Sequence, residues 1–404
     1  MNAARRRPAA IAVAALLALA GASPAAAQLT EAGTPVRPPG WSLTPAVGVS
    51  QLWDDNPTLA ADGDVRPGDF VTSVRPALAL GFRGKRTTMR TDYNGTFDYY
   101  NRLRAQDTVD HRAGFDLTHR LTRHVHVFVR DQAMISPTTG DAADLAATTL
   151  RRQTTRMNAF RSGFDAMLGS RTTLSGLYAT QWIDFAADET PVPAPLLQGG
   201  HSHGGTGEIR HRLTARWTVG ADYGLQRATV GRGAETFDVQ SALGVTEFAL
   251  SPAFSATFGY GHAWLDAGDA VGRRDGAAFN VGLTWNARRA GGTLGYRRAF
   301  LPSFGFGGTF QNEELRATLA AQLARHVRWS GGVALSDNDP LRPGDPTLRS
   351  ISAQSSLGVV VKRYMRLEAF GVHVFQNSGI AGGRVARTRA GVQATVSGTL
   401  RAAR

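Results

Sequence analysis

The sequence predicts an all-β protein, a transmembrane antiparallel up-and-down β-barrel of about 18 strands (16–18). Three observations predict this fold. Apolar and polar residues alternate over long stretches, short and long breaks alternate along the chain, and an N-terminal export segment precedes them. No later segment has the run of about 20 apolar residues that a membrane helix requires. Strands that present every second residue to lipid account for the alternation and for the absence of such a run.

The alternation is clearest between Phe70 and Tyr100. Apolar residues dominate one side of the two strands predicted there, and polar residues dominate the other. Each run is longer than the ~5–6 residues typical of soluble sheets and suits the ~9–11 residues of a membrane-spanning strand. Asn94-Gly95 would form a hairpin turn in another context. The alternation passes through it without a change of phase, which predicts a continuous strand.

Breaks in the alternation are of two kinds. Eight short breaks, most of them carrying Arg or Lys, lie near 84–86, 121–124, 169–171, 214–216, 251–252, 288–291, 324–326 and 362–364. Nine long breaks, several of them acidic, lie near 54–67, 101–108, 136–151, 186–200, 229–235, 266–275, 301–309, 337–347 and 377–383. This order predicts 18 strands with short periplasmic turns and long outer loops. The segment 314–324 is rich in Ala and Leu, which favour a helix, but its period of two predicts a strand.

Residues 1–27 are typical of a cleaved signal peptide. They combine basic Arg5–Arg7, a short apolar core at Ile11–Ala20 and small residues at Ala25–Ala27. We therefore expect a signal peptide at 1–27, a periplasmic lead-in at 28–40 and a barrel at 41–404 in the outer membrane of a Gram-negative bacterium. The chain has no Cys, which excludes a lipid anchor on an N-terminal Cys and disulfides.

Aromatic residues fall into two bands. One band lies near the short breaks and the other near the long breaks: Trp217, Trp285, Trp329 and Tyr364, then Tyr99, Trp182, Trp264 and Phe300. Such bands are typical of the girdles around a lipid-embedded barrel, whereas a soluble β-protein would hold its aromatic residues in the core.

The formal net charge is +13. The basic residues alternate along strands or lie in turns and form no runs interleaved with aromatic residues, so no nucleic-acid partner is expected. Outer-membrane lipid, lipopolysaccharide and anionic solutes are better partners for this charge. Outer-membrane barrels often end on an aromatic residue that the barrel-assembly machinery recognises, and Leu400 occupies that place in this chain.

The most distinctive local motif is Trp53-Asp54-Asp55-Asn56-Pro57. Asp and Asn before Pro favour a turn, because their side chains bond to nearby backbone groups. The alternative is a cation site formed by Asp54, Asp55 and Asn56 together with Asp62 or Asp64. The spacing is not that of a calcium loop, so the turn is the favoured interpretation.

This motif, followed by the strand pair Phe70–Tyr100, resembles the β-barrel porin 2 family. The chain is also similar to outer-membrane proteins associated with exopolysaccharide gene clusters. The layout matches over most of the mature chain, and residues 41–100 carry the specific pattern. The resemblance implies an outer-membrane barrel with porin-like or polysaccharide-export activity, and it brings no catalytic residues.

The polar face of the strands is the predicted lumen. Its candidate selectivity residues are Arg90, Asp92, Asp98, Arg112, Asp116, Arg161, Asp165, Arg210, Arg297 and Arg316. One interpretation is cross-strand charge pairing, which satisfies an otherwise costly interior. The other is a selectivity surface, because rings of Arg favour anions. Both interpretations stay open at this point.

The sequence carries no nucleotide motif and no catalytic constellation that we recognise. His201 and His203 would share one face of a strand and could bind a metal, but the flanking glycines favour a flexible loop. We predict no enzymatic activity and no cofactor. The leading hypothesis is a porin-like channel for hydrophilic or anionic solutes or for exopolysaccharide export. The alternatives are a non-conducting accessory barrel of a surface-polysaccharide system and an outer-membrane hydrolase.

Overall fold

The computed structural model describes residues 40–138, 152–186, 197–231, 235–268, 272–302, 304, 308–342, 344, 346–379 and 383–401. This part of the chain forms 18 long strands: β1 Gly40–Asp54, β2 Asp69–Arg83, β3 Thr87–Tyr100, β4 Thr108–Arg120, β5 Val125–Ser136, β6 Thr155–Met167, β7 Thr172–Phe185, β8 Gly200–Arg212, β9 Trp217–Val230, β10 Glu235–Ser251, β11 Phe254–Asp266, β12 Arg273–Asn286, β13 Ala290–Pro302, β14 Thr309–Ala324, β15 Val327–Pro340, β16 Leu348–Lys362, β17 Met365–Asn377 and β18 Arg384–Ser397. A 3-10 helix, Arg104–Gln106, follows β3, and a short strand β19, Leu400–Arg401, follows β18. The predicted breaks coincide with the connections between these strands.

The strands close into a barrel. Each strand pairs antiparallel with its neighbours in the chain, and β1 pairs with β2 on one side and with β18 on the other. The closing pair runs from Ala46 opposite Ser397 to Asp54 opposite Arg389. The predicted fold is therefore confirmed. β1 begins at Gly40, one residue before the predicted start, whereas residues 1–39 lie outside the described part.

The barrel has an apolar exterior. Large apolar side chains on the outward face are strongly exposed, including Leu225 at 53% and Leu250 at 60%. A water-soluble protein rarely exposes a contiguous apolar surface of this kind, whereas a barrel in lipid requires one. The stretch 314–324 is a strand with Leu319 and Leu323 exposed, so the helical alternative is wrong. Asn94-Gly95 lies inside β3, as expected from the unbroken alternation.

The two ends of the barrel differ in their connections. We call them the short-turn end, where turns such as 84–86 lie, and the long-loop end. Exposed Trp217 and Tyr364 lie near the short-turn end, and exposed Tyr99, Trp182 and Trp264 lie near the long-loop end, which fits the two predicted bands. Phe300 was predicted in the second band, and this is wrong, because Phe300 is only 6% exposed and packs against interior residues.

The interior is densely packed at the long-loop end. Apolar side chains at the long-loop ends of β5, β7 and β9 to β13, and in the connections after β11 and β13, form one buried group. We call it the mouth cluster, and its members are Met134, Ile183, Phe185, Ala228, Val230, Phe237, Ala263, Leu265, Ala267, Ala278, Phe300 and Phe304. At the short-turn end, by contrast, interior side chains such as Arg90 and Arg120 are exposed. Among the described residues no helix is long and apolar enough to cross a membrane.

Candidate channel interior

All ten predicted interior residues lie on the inward face of their strands, because each occupies the phase opposite to the exposed apolar side chains. They are Arg90, Asp92 and Asp98 on β3, Arg112 and Asp116 on β4, Arg161 and Asp165 on β6, Arg210 on β8, Arg297 on β13 and Arg316 on β14. The alternation therefore placed them correctly. Their role in selectivity remains a prediction.

Charge pairing is extensive on this face. Arg316 Nη2 lies 2.8 Å from Glu314 Oε1, and Arg90 Nε lies 3.2 Å from Asp92 Oδ1. Carboxylates also accept from hydroxyls, as where Ser175 Oγ donates to Asp165 at 2.7 Å. These contacts support the pairing interpretation, since paired charges cost less inside a protein than isolated ones.

One wall of the interior is acidic. Arg210 on β8 lies against three carboxylates, with Asp222 on β9 in direct contact, Glu247 on β10 at 3.3 Å and Glu208 at 3.5 Å. A single guanidinium balances only one of these three charges. Asp165 on the nearby β6 adds a further carboxylate to the same wall. The interior between β6 and β10 therefore carries an excess of negative charge around Arg210.

The facing wall is basic. Arg328 on β15, Arg366 on β17 and Arg75 on β2 point inward, with Arg366 held by Glu368 at 2.9 Å and Arg75 donating to Gln393 Oε1 at 2.7 Å. In a closed ring of 18 strands, β8 and β17 are nine positions apart and lie on opposite walls. A solute inside the barrel would experience negative charge on one side and positive charge on the other.

The Asp-Asp-Asn-Pro motif closes the barrel at its long-loop end. Asp54 is fully buried, and its two carboxylate oxygens accept from Arg387 Nε of β18 at 3.1 and 3.0 Å. Asp55 Oδ1 accepts the Thr388 N–H at 2.6 Å. The first and last long strands are thus joined by side chains as well as by backbone pairing.

Asn56 organises the turn itself. Its Nδ2 donates to the carbonyls of Ala60 and Ala386 at 2.9 Å each, and its Oδ1 accepts the Ala60 N–H at 2.8 Å. The oxygens proposed for a cation site are therefore used by backbone groups and a guanidinium, which supports the turn. In the described ranges no group of three or more His, Asp or Glu side chains is placed to hold a metal ion.

Arg152 ties the loops of the long-loop end together. Its Nη1 donates to the Pro57 carbonyl at 3.1 Å, its Nη2 donates to the Gln106 carbonyl at 3.0 Å, and its guanidinium lies 6.0 Å from the centre of the Tyr100 ring. Burial lowers the pKa of Arg152, and its attraction to Tyr100 opposes that change. Sequence reasoning missed Arg152 and Arg387, because nothing local in the sequence identifies their distant partners.

His201 and His203 lie in β8, so the interpretation of this stretch as a flexible loop is wrong. Both occupy the outward phase near the long-loop end, opposite Trp182 and Thr180 of β7. The period of two in this stretch was the usable signal, and the flanking glycines concealed it.

Comparisons with solved structures return other barrels. OccAB4 of Acinetobacter baumannii is 9% identical, with 89% of this chain and 98% of that chain covered and a TM-score of 0.45. OpdO of Pseudomonas aeruginosa is 14% identical, with 90% of this chain and 97% of that chain covered and a TM-score of 0.45. The siderophore receptor PirA of Pseudomonas aeruginosa is 10% identical, with 90% of this chain and 81% of that chain covered and a TM-score of 0.43. At these values the likeness carries no weight, and the strand pairing itself establishes the fold.

No protein-family model matches the chain, and no curated protein matches it. The resemblance to the β-barrel porin 2 family therefore stays a prediction from residues 41–100.

Proposed function

We propose that this protein is an outer-membrane channel for small hydrophilic solutes, with its short-turn end in the periplasm. One observation carries the proposal: the barrel combines an exposed apolar exterior with an inward face of charged side chains. A lipid-facing exterior and a polar interior are what a water-filled membrane barrel requires. A barrel of 18 strands is wide enough for an aqueous channel. The signal peptide predicted at 1–27 supports export, and no enzymatic role is proposed.

The two charged walls provide the basis of selectivity. Solutes that carry both signs would orient between the acidic wall around Arg210 and the basic wall around Arg328 and Arg366. Because interior arginines outnumber carboxylates on the basic wall, we propose a weak preference for anions.

Recordings in planar bilayers test both parts of this proposal. We expect discrete conductance steps, and a reversal potential in a KCl gradient that favours anions. D222N removes charge from the acidic wall and should shift that potential further toward anions. R328Q, the matched change on the basic wall, should shift it toward cations. Absence of conductance from folded protein would refute the channel, and shifts of equal sign would refute the charged-wall account.

Export of an exopolysaccharide and a non-conducting accessory role remain predictions from the family resemblance. The same recordings separate the accessory role from a channel, because an accessory barrel would carry no current.

A further inference from the structure

The barrel wall is incomplete between β12 and β13. Their pairing runs from Asn286 opposite Gly291 to Phe279 opposite Arg298, and no β12–β13 pair among the described residues lies beyond that point. Both strands continue: β12 stays paired with β11 up to Arg273, and β13 stays paired with β14 up to Pro302. We call the gap between residues 273–278 and residues 299–302 the seam.

The seam forms because the upper end of β13 bends into the barrel. Cα atoms of β13 come within 8 Å of Cα atoms of β9. These strands are four positions apart, and neighbouring strands are spaced by ~4.8 Å, so the distance along the wall would be about 19 Å. Their approach therefore shows that part of β13 has left the wall.

Phe300 fills the seam from inside. It has the same phase as Leu294 and Tyr296 on β13, which is the outward phase, and yet it is almost fully buried. A methyl group added at Gly276 of β12 would lie 3.4 Å from Phe300 Cζ. The ring thus rests against the backbone of β12, where small residues (Gly276, Ala277 and Ala278) leave room for it.

The space behind the seam is apolar. Phe300 and Ala278 belong to the mouth cluster together with Phe237 and Leu265, whereas the interior below is charged. Water does not solvate such side chains favourably, and an alkyl chain would. The seam therefore faces an environment that suits a hydrocarbon.

The height of the seam is that of the outer lipid interface. Asp275 on the seam pairs with Trp264, a member of the aromatic band near the long-loop end. Cations lie at its edges: Arg298 at the last pair, held by Glu313 at 3.5 Å, and Arg273, held by Asp266 at 3.2 Å. An amphiphile could therefore place an anionic head beside these arginines and its alkyl chain against the mouth cluster.

We propose that the seam is a lateral portal for a single-chain amphiphile with a carboxylate head, whose acyl chain passes between the outer leaflet and the mouth cluster, with Phe300 as the gate. Unpaired strand edges are costly within hydrocarbon, but at the interface water and headgroups can satisfy them. The portal rests on the outer-membrane location proposed above, although it does not require that hydrophilic solutes are conducted.

The test uses the full chain in lipid nanodiscs and cis-parinaric acid as the probe. The seven native tryptophans are replaced by Phe, because the exposed ones face lipid, and F237W places a single donor in the mouth cluster. Stopped-flow energy transfer from this tryptophan to the probe reports the arrival of the probe at the mouth cluster. F300A removes the gate and should speed this exchange by about tenfold. Unchanged kinetics in F300A would overturn the portal.

A cross-link tests the position of the portal. Ala278 and Ala299 would face each other if the β12–β13 register continued. The chain has no Cys, so bismaleimidoethane would cross-link only the two thiols of the A278C/A299C variant. We call this cross-link the lock. It should slow exchange by about tenfold. The matched control is S330C/S356C in the closed wall between β15 and β16, where the two hydroxyls lie 2.9 Å apart.

Equal effects of the two cross-links would refute the seam as the route. Bilayer conductance of the same samples separates the two proposals. If the protein conducts ions but neither F300A nor the lock changes the rate of probe exchange, the portal alone is refuted. If the protein does not conduct ions but F300A and the lock both change the rate of probe exchange, the channel alone is refuted.

Discussion

At the scale of single residues, the Asp54–Arg387 pair is the most consequential contact. Both side chains are almost entirely buried, at 0% and 6% exposure. Buried charges are tolerated only when they are paired and hydrogen-bonded. Asn56 N–H and the Tyr100 hydroxyl complete the shell around the pair. Removal of one partner would leave the other charge without compensation.

We therefore expect D54N to destabilise the barrel by about 3–5 kcal/mol, the usual cost of breaking a buried ion pair. Heat-dependent migration in SDS gels and urea unfolding in detergent micelles would measure this cost. D64N, a change at an exposed carboxylate in the same loop, is the control and should have little effect. The double variant D54N/R387M should recover part of the loss, and equal instability of the single and double variants would contradict this account.

At the scale of strands, pairing with neighbouring strands overrides the helix propensity of individual residues. β14 contains many Ala and Leu residues and still forms a strand, because its partners β13 and β15 pair with it along almost its whole length. Glycine permits the closest approaches between strands. A methyl group at Gly261 of β11 would collide with the Ala242 carbonyl of β10. This pair of strands therefore depends on the absence of a side chain at position 261.

G261A should destabilise the β10–β11 pairing by about 1–3 kcal/mol, the usual cost of overpacking. Refolding yield into lipid vesicles and the urea midpoint would report this loss. The control is G207A on β8, where an added methyl group has no atom within 4 Å among the atoms considered. If the two variants behave alike, the close approach at Gly261 has no energetic consequence.

At the scale of the whole molecule, the interior is packed at one end and accessible at the other. Arg152, Asn56 and the mouth cluster fill the long-loop end, while charged side chains line the rest. In the proposed channel, the entrance at the long-loop end would therefore limit passage more than the charged walls below it.

R152A should release the loop contacts at Pro57 and Gln106 and raise single-channel conductance. Planar-bilayer recordings would measure the change. R66A removes a half-buried loop arginine that pairs with Asp62 and is the matched control, with no change expected. Lower or unchanged conductance in R152A would show that these loops do not restrict the pore.

Alternation along the sequence predicted every long strand and the inward face, because a barrel between lipid and water exposes each face to a different medium. The alternation did not predict the apolar packing inside the barrel at the long-loop end, where inward and outward faces are both apolar. Ile183 and Phe185 are apolar on the inward face of β7, and this loss of contrast at the strand end was the available sign of the mouth cluster. The partner of Asp54 and the bend of β13 depend on distant pairing, which single-sequence patterns do not encode.

The closing contact between β1 and β18 has a kinetic consequence. Asp54 and Arg387 are separated by 333 positions, so this contact spans most of the described part of the chain. Contacts of high separation form slowly, because the loop entropy is lost before any bonding compensates for it. Until β18 has been synthesised, the edge of β1 has no partner and is open to aggregation. We therefore expect a chain truncated before Arg384 to keep an exposed edge at β1 and to aggregate more readily than the full chain.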